Sequence, residues 1–180
     1  MPIAKLNIHS LDDTDDKYTL EVQFNPKELQ VDKAVQWSAH KTSKADAPIL
    51  EFTGADGRSM SLELVFDGYE TNTDVEVAYI SKLVALASVR DSSPKQTDPK
   101  KQRPHLVAVT WGGSVAGSTA DTKDNKGREF RGVIESLNTK YTMFSPEGVP
   151  LRATVNLKFK QAEGLEKADK SGSAGGTPAK

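Results

Sequence analysis

Leu151-Arg152-Ala153-Thr154-Val155-Asn156-Leu157-Lys158-Phe159-Lys160 is the stretch that decides the fold. Leu151, Ala153, Val155, Leu157 and Phe159 take alternate positions, and Arg152, Thr154, Asn156, Lys158 and Lys160 fill the gaps. A period of two sends successive side chains to opposite faces of a strand. The stretch is therefore a long strand with one face in a core and one wet face, as in an antiparallel sheet.

Moving outward, Ser145-Pro146-Glu147-Gly148-Val149-Pro150 is a turn. Before it, Phe130 to Leu137 is a strand with Phe130 and Ile134 on one face and Val133 and Leu137 nearly opposite, and Lys140 to Phe144 extends it. His105 to Trp111 is a further strand, with Val107, Val109 and Trp111 on one face. Met60, Leu62, Leu64 and Phe66 alternate with Ser61, Glu63 and Val65, and Asp67-Gly68 ends that strand. Gly54-Ala55-Asp56-Gly57 ahead of it is a hairpin signal, because Asp-Gly supplies the positive φ of a tight turn. Tyr18, Leu20, Val22 and Phe24 share a face of another strand, which Asn25-Pro26 breaks.

One helix is expected. Thr73 and Glu76 fit a capping box, and Val77, Ile80, Leu83, Val84 and Ala87 form the apolar stripe, with an end near Val89. The polar, proline-bearing stretch 91–104 and the Gly/Ser/Thr/Asp-rich stretch 112–128 are loops. Leu29, Val31, Val35 and Trp37 suggest partly extended chain, and Ser38 to Pro48 is a polar arm. Loops of that length inside a compact domain are usually functional or disordered. Residues 163–180 lack a packable face and are expected to be a disordered tail, leaving 1–162 as one domain. The fold class is thus mainly β: an antiparallel barrel or sandwich with one flanking helix.

The chain has 180 residues, 24 Lys+Arg against 25 Asp+Glu, a net charge of -1 and no cysteine. The length favours one domain. The absence of cysteine excludes disulfides, thiolate metal sites and a cysteine nucleophile. The charge balance argues against a globally basic nucleic-acid binder. Met1-Pro2-Ile3-Ala4-Lys5-Leu6 has no apolar run before the acidic Asp12, Asp13, Asp15 and Asp16, so no secretory signal peptide is expected. No stretch approaches the roughly 18 apolar residues of a membrane span.

No stretch of the sequence carries a complete constellation for catalysis or metal binding. His9, His40 and His105 lack ligand spacing to one another, and His105 suits a strand edge. The acidic cluster lacks the glycine and the bidentate glutamate of a calcium loop. Gly112-Gly113-Ser114-Val115-Ala116-Gly117 lacks the elbow or phosphate-loop context. Lys95, Lys100, Lys101 and Arg103 form a basic run without interleaved aromatics. Glu51, Glu63, Glu135 and Glu147 show no pairing in sequence that would make them an acid and a base. No catalytic, cofactor-binding or metal-ligating residue is expected.

The ordered set of pieces is more informative. Phe24-Asn25-Pro26-Lys27-Glu28-Leu29 is followed by Trp37, Pro48 to Phe52 and Leu62-Glu63-Leu64-Val65-Phe66-Asp67. After the helix come Arg103-Pro104 to Trp111-Gly112, Phe130-Arg131-Gly132-Val133-Ile134-Glu135-Ser136, Tyr141-Thr142-Met143-Phe144 and Gly148-Val149-Pro150-Leu151-Arg152-Ala153. In this order the pieces, over about residues 3–162, resemble the tube-protein family of contractile injection systems, related to phage tail baseplate proteins.

The resemblance implies a structural, non-enzymatic subunit. Such a subunit forms a hexameric ring that joins the spike hub to the inner tube and initiates tube assembly. A subunit of the inner tube itself is the alternative, and a small ligand-binding or hydrolytic barrel a more distant one. The implied partners are further copies of the chain, the inner-tube protein, the spike hub, and other baseplate or sheath subunits, with neither nucleic acid nor membrane insertion. Assembly in the producing bacterium's cytoplasm follows. Larger members carry a C-terminal LysM domain, for which residues 163–180 leave no room. The expected interface lies on the arm, at Trp37, His40, Lys41 and Lys44, as a clasp between subunits. A buried core position is the alternative for Trp37.

Overall fold

The computed structural model describes residues 3–40, 48–91, 98, 101–112 and 129–162. The strands are β1 (Leu6–Ser10), β2 (Thr19–Glu21), β3 (Leu29–Asp32), β4 (Val35–His40), β5 (Ile49–Ala55), β6 (Ser59–Asp67), β7 (Val107–Trp111), β8 (Phe130–Phe144) and β9 (Pro150–Gln161). Seven of them form one antiparallel sheet in the order β2-β1-β7-β8-β9-β6-β3, and β4 and β5 pair separately. The expected mainly β class with one flanking helix is what the chain adopts. The sheet stays open: β2 and β3 are its edges and do not pair with each other.

The core lies on one face of the sheet. Leu151, Ala153, Val155, Leu157 and Phe159 of β9 are all buried, opposite Met60, Leu62, Leu64 and Phe66 of β6 in register. Burying side chains of this size contributes about 1.5–3 kcal/mol each. β8 is a single strand from Phe130 to Phe144, and a bulge resolves its odd pattern. Ile134 pairs with Phe159 and Ser136 with Lys158, so Glu135 is an extra residue without a place in the ladder. Inward positions change from even to odd at that point, and Ile134 and Leu137 both reach the core.

Three expectations need correcting. The Tyr18–Phe24 strand shrinks to β2, with Tyr18 in a 3-10 turn and Phe24 exposed. Side-chain amides replace the ladder there. Asn25 accepts the Leu6 N–H and donates to the Ala4 carbonyl, while Gln23 makes a two-way pair with the Asp67 backbone at 2.7 Å each. The Gly54–Gly57 turn is not a β5–β6 hairpin. It is a corner where the chain leaves the small sheet for the large one, since β5 pairs only with β4.

The helix departs furthest. It opens as a π turn (Glu76–Ile80) and continues as α1 (Ser81–Ala87). The wider turn makes the inward spacing five, Val75 to Ile80, before Leu83 and Leu86. Val77 and Val84 of the expected stripe consequently face water. No capping box forms. Asp74 Oδ1 accepts the Glu76 N–H at 2.9 Å, Glu76 accepts the Tyr141 hydroxyl, and Thr73 meets Thr71. Burial and then the Glu76 bond push the Tyr141 phenol up to about 12. Asp74→Ala should therefore cost about 1 kcal/mol in urea unfolding, and Thr73→Ala less than half that. The reverse ranking would restore the capping box.

The expected loops are described only in part: 92–97, 99–100 and 113–128 lie outside the described residues, as does the expected tail 163–180. Arg103, placed in the basic run, is not solvated. It forks onto Asp12 at 2.8 and 2.9 Å.

Candidate functional site

The strands on either side of the arm, β4 and β5, pair with each other as a hairpin ribbon apart from the large sheet, and residues 41–47 between them lie outside the described residues. Trp37 pairs with Phe52, Ala39 with Leu50 and Val35 with Ala55. Directly paired residues share a face, so Val35, Trp37, Ala39, Leu50 and Phe52 make one apolar surface. Trp37 and Phe52 meet edge to face at 5.6 Å. Nothing in the described chain covers them: Trp37 is 56% exposed, Phe52 56% and Leu50 58%. The other face is mostly polar, with Gln36, Ser38, His40, Glu51 and Thr53 beside the exposed Ile49, and the His40 Nε2 lies 2.7 Å from the Glu51 carboxylate in the open.

The base of the hairpin is stitched. The Asp56 N–H donates to the Ala34 carbonyl at 3.1 Å, and the Gln36 side chain donates to the Asp56 carboxylate at 3.2 Å. A bulge between Gln36 and Trp37 twists the strand just above this point. Trp37 thus stands on a fixed root at the start of a protruding element. The core position considered for it is not the one it occupies. Lys41 and Lys44 lie outside the described residues.

The second surface is the wet face of the large sheet. Glu63, Asn138, Asn156, Lys158 and Lys160 are exposed there, and Lys158 pairs with Glu135 at 2.9 Å. That pair holds the Glu135 carboxyl below its usual range. A groove of about 880 Å³ runs along this face beside Phe24, Pro26 and Val65. At its end Arg152 holds Asp67 at 2.6 Å. The Tyr69 backbone N–H and then Arg152 lower the Asp67 carboxyl.

The glutamates considered for acid–base work are spread out. Glu51 engages His40, Glu135 engages Lys158, Glu63 lies on β6, and Glu147 sits in the turn between β8 and β9. Ser10 and His105 do form a Ser–His contact at 2.8 Å, but they are only 7% and 1% exposed, so no substrate reaches them. Sequence reasoning placed His105 at a strand edge; the signal for its burial was the apolar Leu106-Val107-Ala108-Val109 immediately after it. Among the described residues, no group of three His, Cys, Asp or Glu could hold a metal ion. None of the described helices is long and apolar enough to cross a membrane.

A family model described as contractile injection system tube protein matches residues 2–170. The chain belongs to that family. No curated protein matches it. Membership makes this tube protein a structural component of an injection particle.

Proposed function

We propose that this tube protein forms a ring, six subunits around, that joins the spike hub to the inner tube and initiates tube assembly without catalysing a reaction. The observation that carries this is the uncovered Val35–Trp37–Leu50–Phe52 face of the hairpin. A lone two-stranded hairpin is marginal in water. A contiguous exposed apolar surface of this kind marks a protein contact, and Trp and Phe are among the residues enriched at the cores of such contacts. The edge of β3, which pairs only with β6 among the described residues, supports the same reading, because a ring can pair an edge that a single subunit leaves open. The outer edge of β2 is already engaged at Thr19, whose N–H donates to the Asp16 carbonyl and whose carbonyl accepts Lys82. The wet face of β6, β9 and β8, carrying Lys158, Asn156 and Glu63, suits a water-filled lumen. Assembly in the producing cell's cytoplasm completes the proposal.

The test is light scattering with negative-stain imaging of the full chain, alone and with its spike hub. Rings of about six subunits are expected in at least one of the two samples. Rings that stack without limit would favour an inner-tube subunit proper. A monomer in both samples would overturn the proposal and return attention to a small ligand-binding barrel.

A further inference from the structure

Ser10 closes β1, and its hydroxyl sits where three segments meet. Its Oγ accepts the backbone N–H groups of Asp12 and Asp13, each at 3.1 Å, and lies 2.8 Å from Nδ1 of His105. A hydroxyl has two acceptor lone pairs and one proton. The two amides fill the lone pairs, so the proton is left for Nδ1. Nδ1 is then the acceptor, and the neutral ring carries its hydrogen on Nε2. Nε2 is buried and has no hydrogen-bond partner among the described residues.

A charged imidazole donates from both nitrogens. Here Nδ1 would point a proton at an oxygen already taken, and Nε2 would gain no acceptor. The surroundings do not invite a cation either. Asp12 and Asp13 face the ring from the turn after β1, Arg90 from the stretch after α1, and Arg103 from the stretch before β7. Tyr18 of the 3-10 turn lies against the ring at 4.1 Å between centroids, tilted by 40°, with Lys17 over the tyrosine at 4.8 Å. Both guanidiniums engage Asp12, Arg103 at 2.8 Å and Arg90 at 3.9 Å, while the Asp13 carboxylate accepts the Asp15 N–H. Asp12 is further committed to the Leu106 N–H at 2.7 Å. Burial, and then the charge of Arg90, hold the imidazole below its ordinary range against the pull of Asp12 and Asp13.

The same contacts tie segments together. The Leu11 N–H donates to the Leu106 carbonyl at 2.8 Å, the His105 N–H to the Leu86 carbonyl at the end of α1 at 3.3 Å, and the Arg90 N–H to the Arg103 carbonyl at 3.2 Å. We propose that the Ser10–His105 pair is an acid-sensitive latch. With the ring neutral it fastens the turn after β1 and the chain leaving α1 to the start of β7. When Nδ1 takes a proton, Ser10 must release either the ring or one of the two amides, and this corner loosens. The inference is independent of the assembly role.

The sign follows from which state binds the proton first. An unfolded histidine titrates near 6.5, and the folded ring titrates lower. The latch contributes fully above about pH 6.5 and is lost as pH falls toward the folded value. One proton changes the unfolding equilibrium constant by at most about tenfold per pH unit. Asp12 is also lowered: burial raises it, but the Arg103 and Leu106 bonds and the two arginine charges outweigh that. Its window lies below the usual aspartate range near 3.9, whereas that of the histidine opens near 6.5.

Two measurements on the full chain decide the matter. Imidazole nitrogen shifts in NMR should show hydrogen on Nε2 at pH 7.5. As the ring charges below pH 6.5, the Asp12, Asp13 and Leu106 amides should lose exchange protection together, after correction for intrinsic rates. In urea unfolding, the wild-type unfolding constant should rise as pH falls below 6.5, by no more than about tenfold per unit. His105→Asn, whose carbonyl oxygen can still accept the Ser10 O–H, should lose that dependence. Hydrogen on Nδ1, a ring that charges above 6.5, or unchanged protection once it is charged would overturn the latch, as would an unaltered pH dependence in the variant. If the variant does not fold, the wild-type NMR result decides alone.

Discussion

Replacing Trp37 and Phe52 together by serine should abolish ring formation while leaving the subunit folded. The two rings form the centre of the exposed hairpin face, 5.6 Å apart, and each is 56% exposed. Large aromatic anchors at the middle of an interface typically contribute about 2 kcal/mol or more each. That is roughly 30-fold in affinity per residue, since about 1.4 kcal/mol is tenfold. Two such losses in every subunit contact of a closed ring leave no assembly at micromolar concentrations. Folding stability, by contrast, should move by no more than about 0.5 kcal/mol beyond the loss of their mutual contact, because exposed substitutions away from core, caps and buried networks rarely do more. Light scattering reads the first quantity and urea unfolding the second, on the same preparation. Intact rings from the double variant would show that the hairpin is not the contact. A loss of stability above about 2 kcal/mol would show that the rings are part of the fold after all.

That division between fold and contact explains what was legible in the sequence. The β9 alternation was readable because every odd position from Leu151 to Phe159 is apolar and every residue between is polar, and the structure buries that set as a unit. β8 was half readable. Its periodicity breaks at Glu135, and a bulge leaves no residue type as a marker; only the odd spacing of Ile134 and Leu137 betrays it. The helix was found, and Ile80, Leu83 and Ala87 of its expected stripe do face the core, but Val77 and Val84 do not, because the π turn at Glu76–Ile80 changes the spacing to five and no local composition announces such a turn. β2 and its sequel failed for another reason. Asn25 and Gln23 satisfy backbone groups that lie far along the chain, at Leu6 and Asp67, which a local reading cannot see. On the hairpin, alternation was hidden because both its faces are outside the core. The burial contrast that makes a strand legible was missing, and what remained was a polar stretch with a tryptophan in it.

The converse of the hairpin variant is Gly132→Ala, which should lower stability by about 3 kcal/mol, at the upper end of overpacking penalties. Gly132 lies in the middle of the sheet, paired with Val107 of β7 on one side and Gln161 of β9 on the other. A Cβ there would stand 2.3 Å from the Lys160 carbonyl oxygen and 3.0 Å from Cε1 of Phe130. The nearer atom is backbone, so no rotamer change relieves the clash. β8 and β9 must separate locally, and the ladder that positions Phe159 against Ile134 loosens with them. For a domain of this size a loss of about 3 kcal/mol lowers Tm by roughly 6–12 °C. Gly54→Ala is the control. It lies on β5 of the hairpin, and a Cβ there meets nothing within 4 Å, so its Tm should stay within about 2 °C of wild type. A fall of less than about 2 °C in Gly132→Ala would mean that the strands tolerate the extra methyl and that the close approach is not what requires glycine. The two variants together separate the causes. Gly132→Ala weakens rings only by depleting folded subunits, so adding protein at a temperature well below its Tm restores them, whereas the hairpin double variant stays monomeric at every temperature at which it is folded.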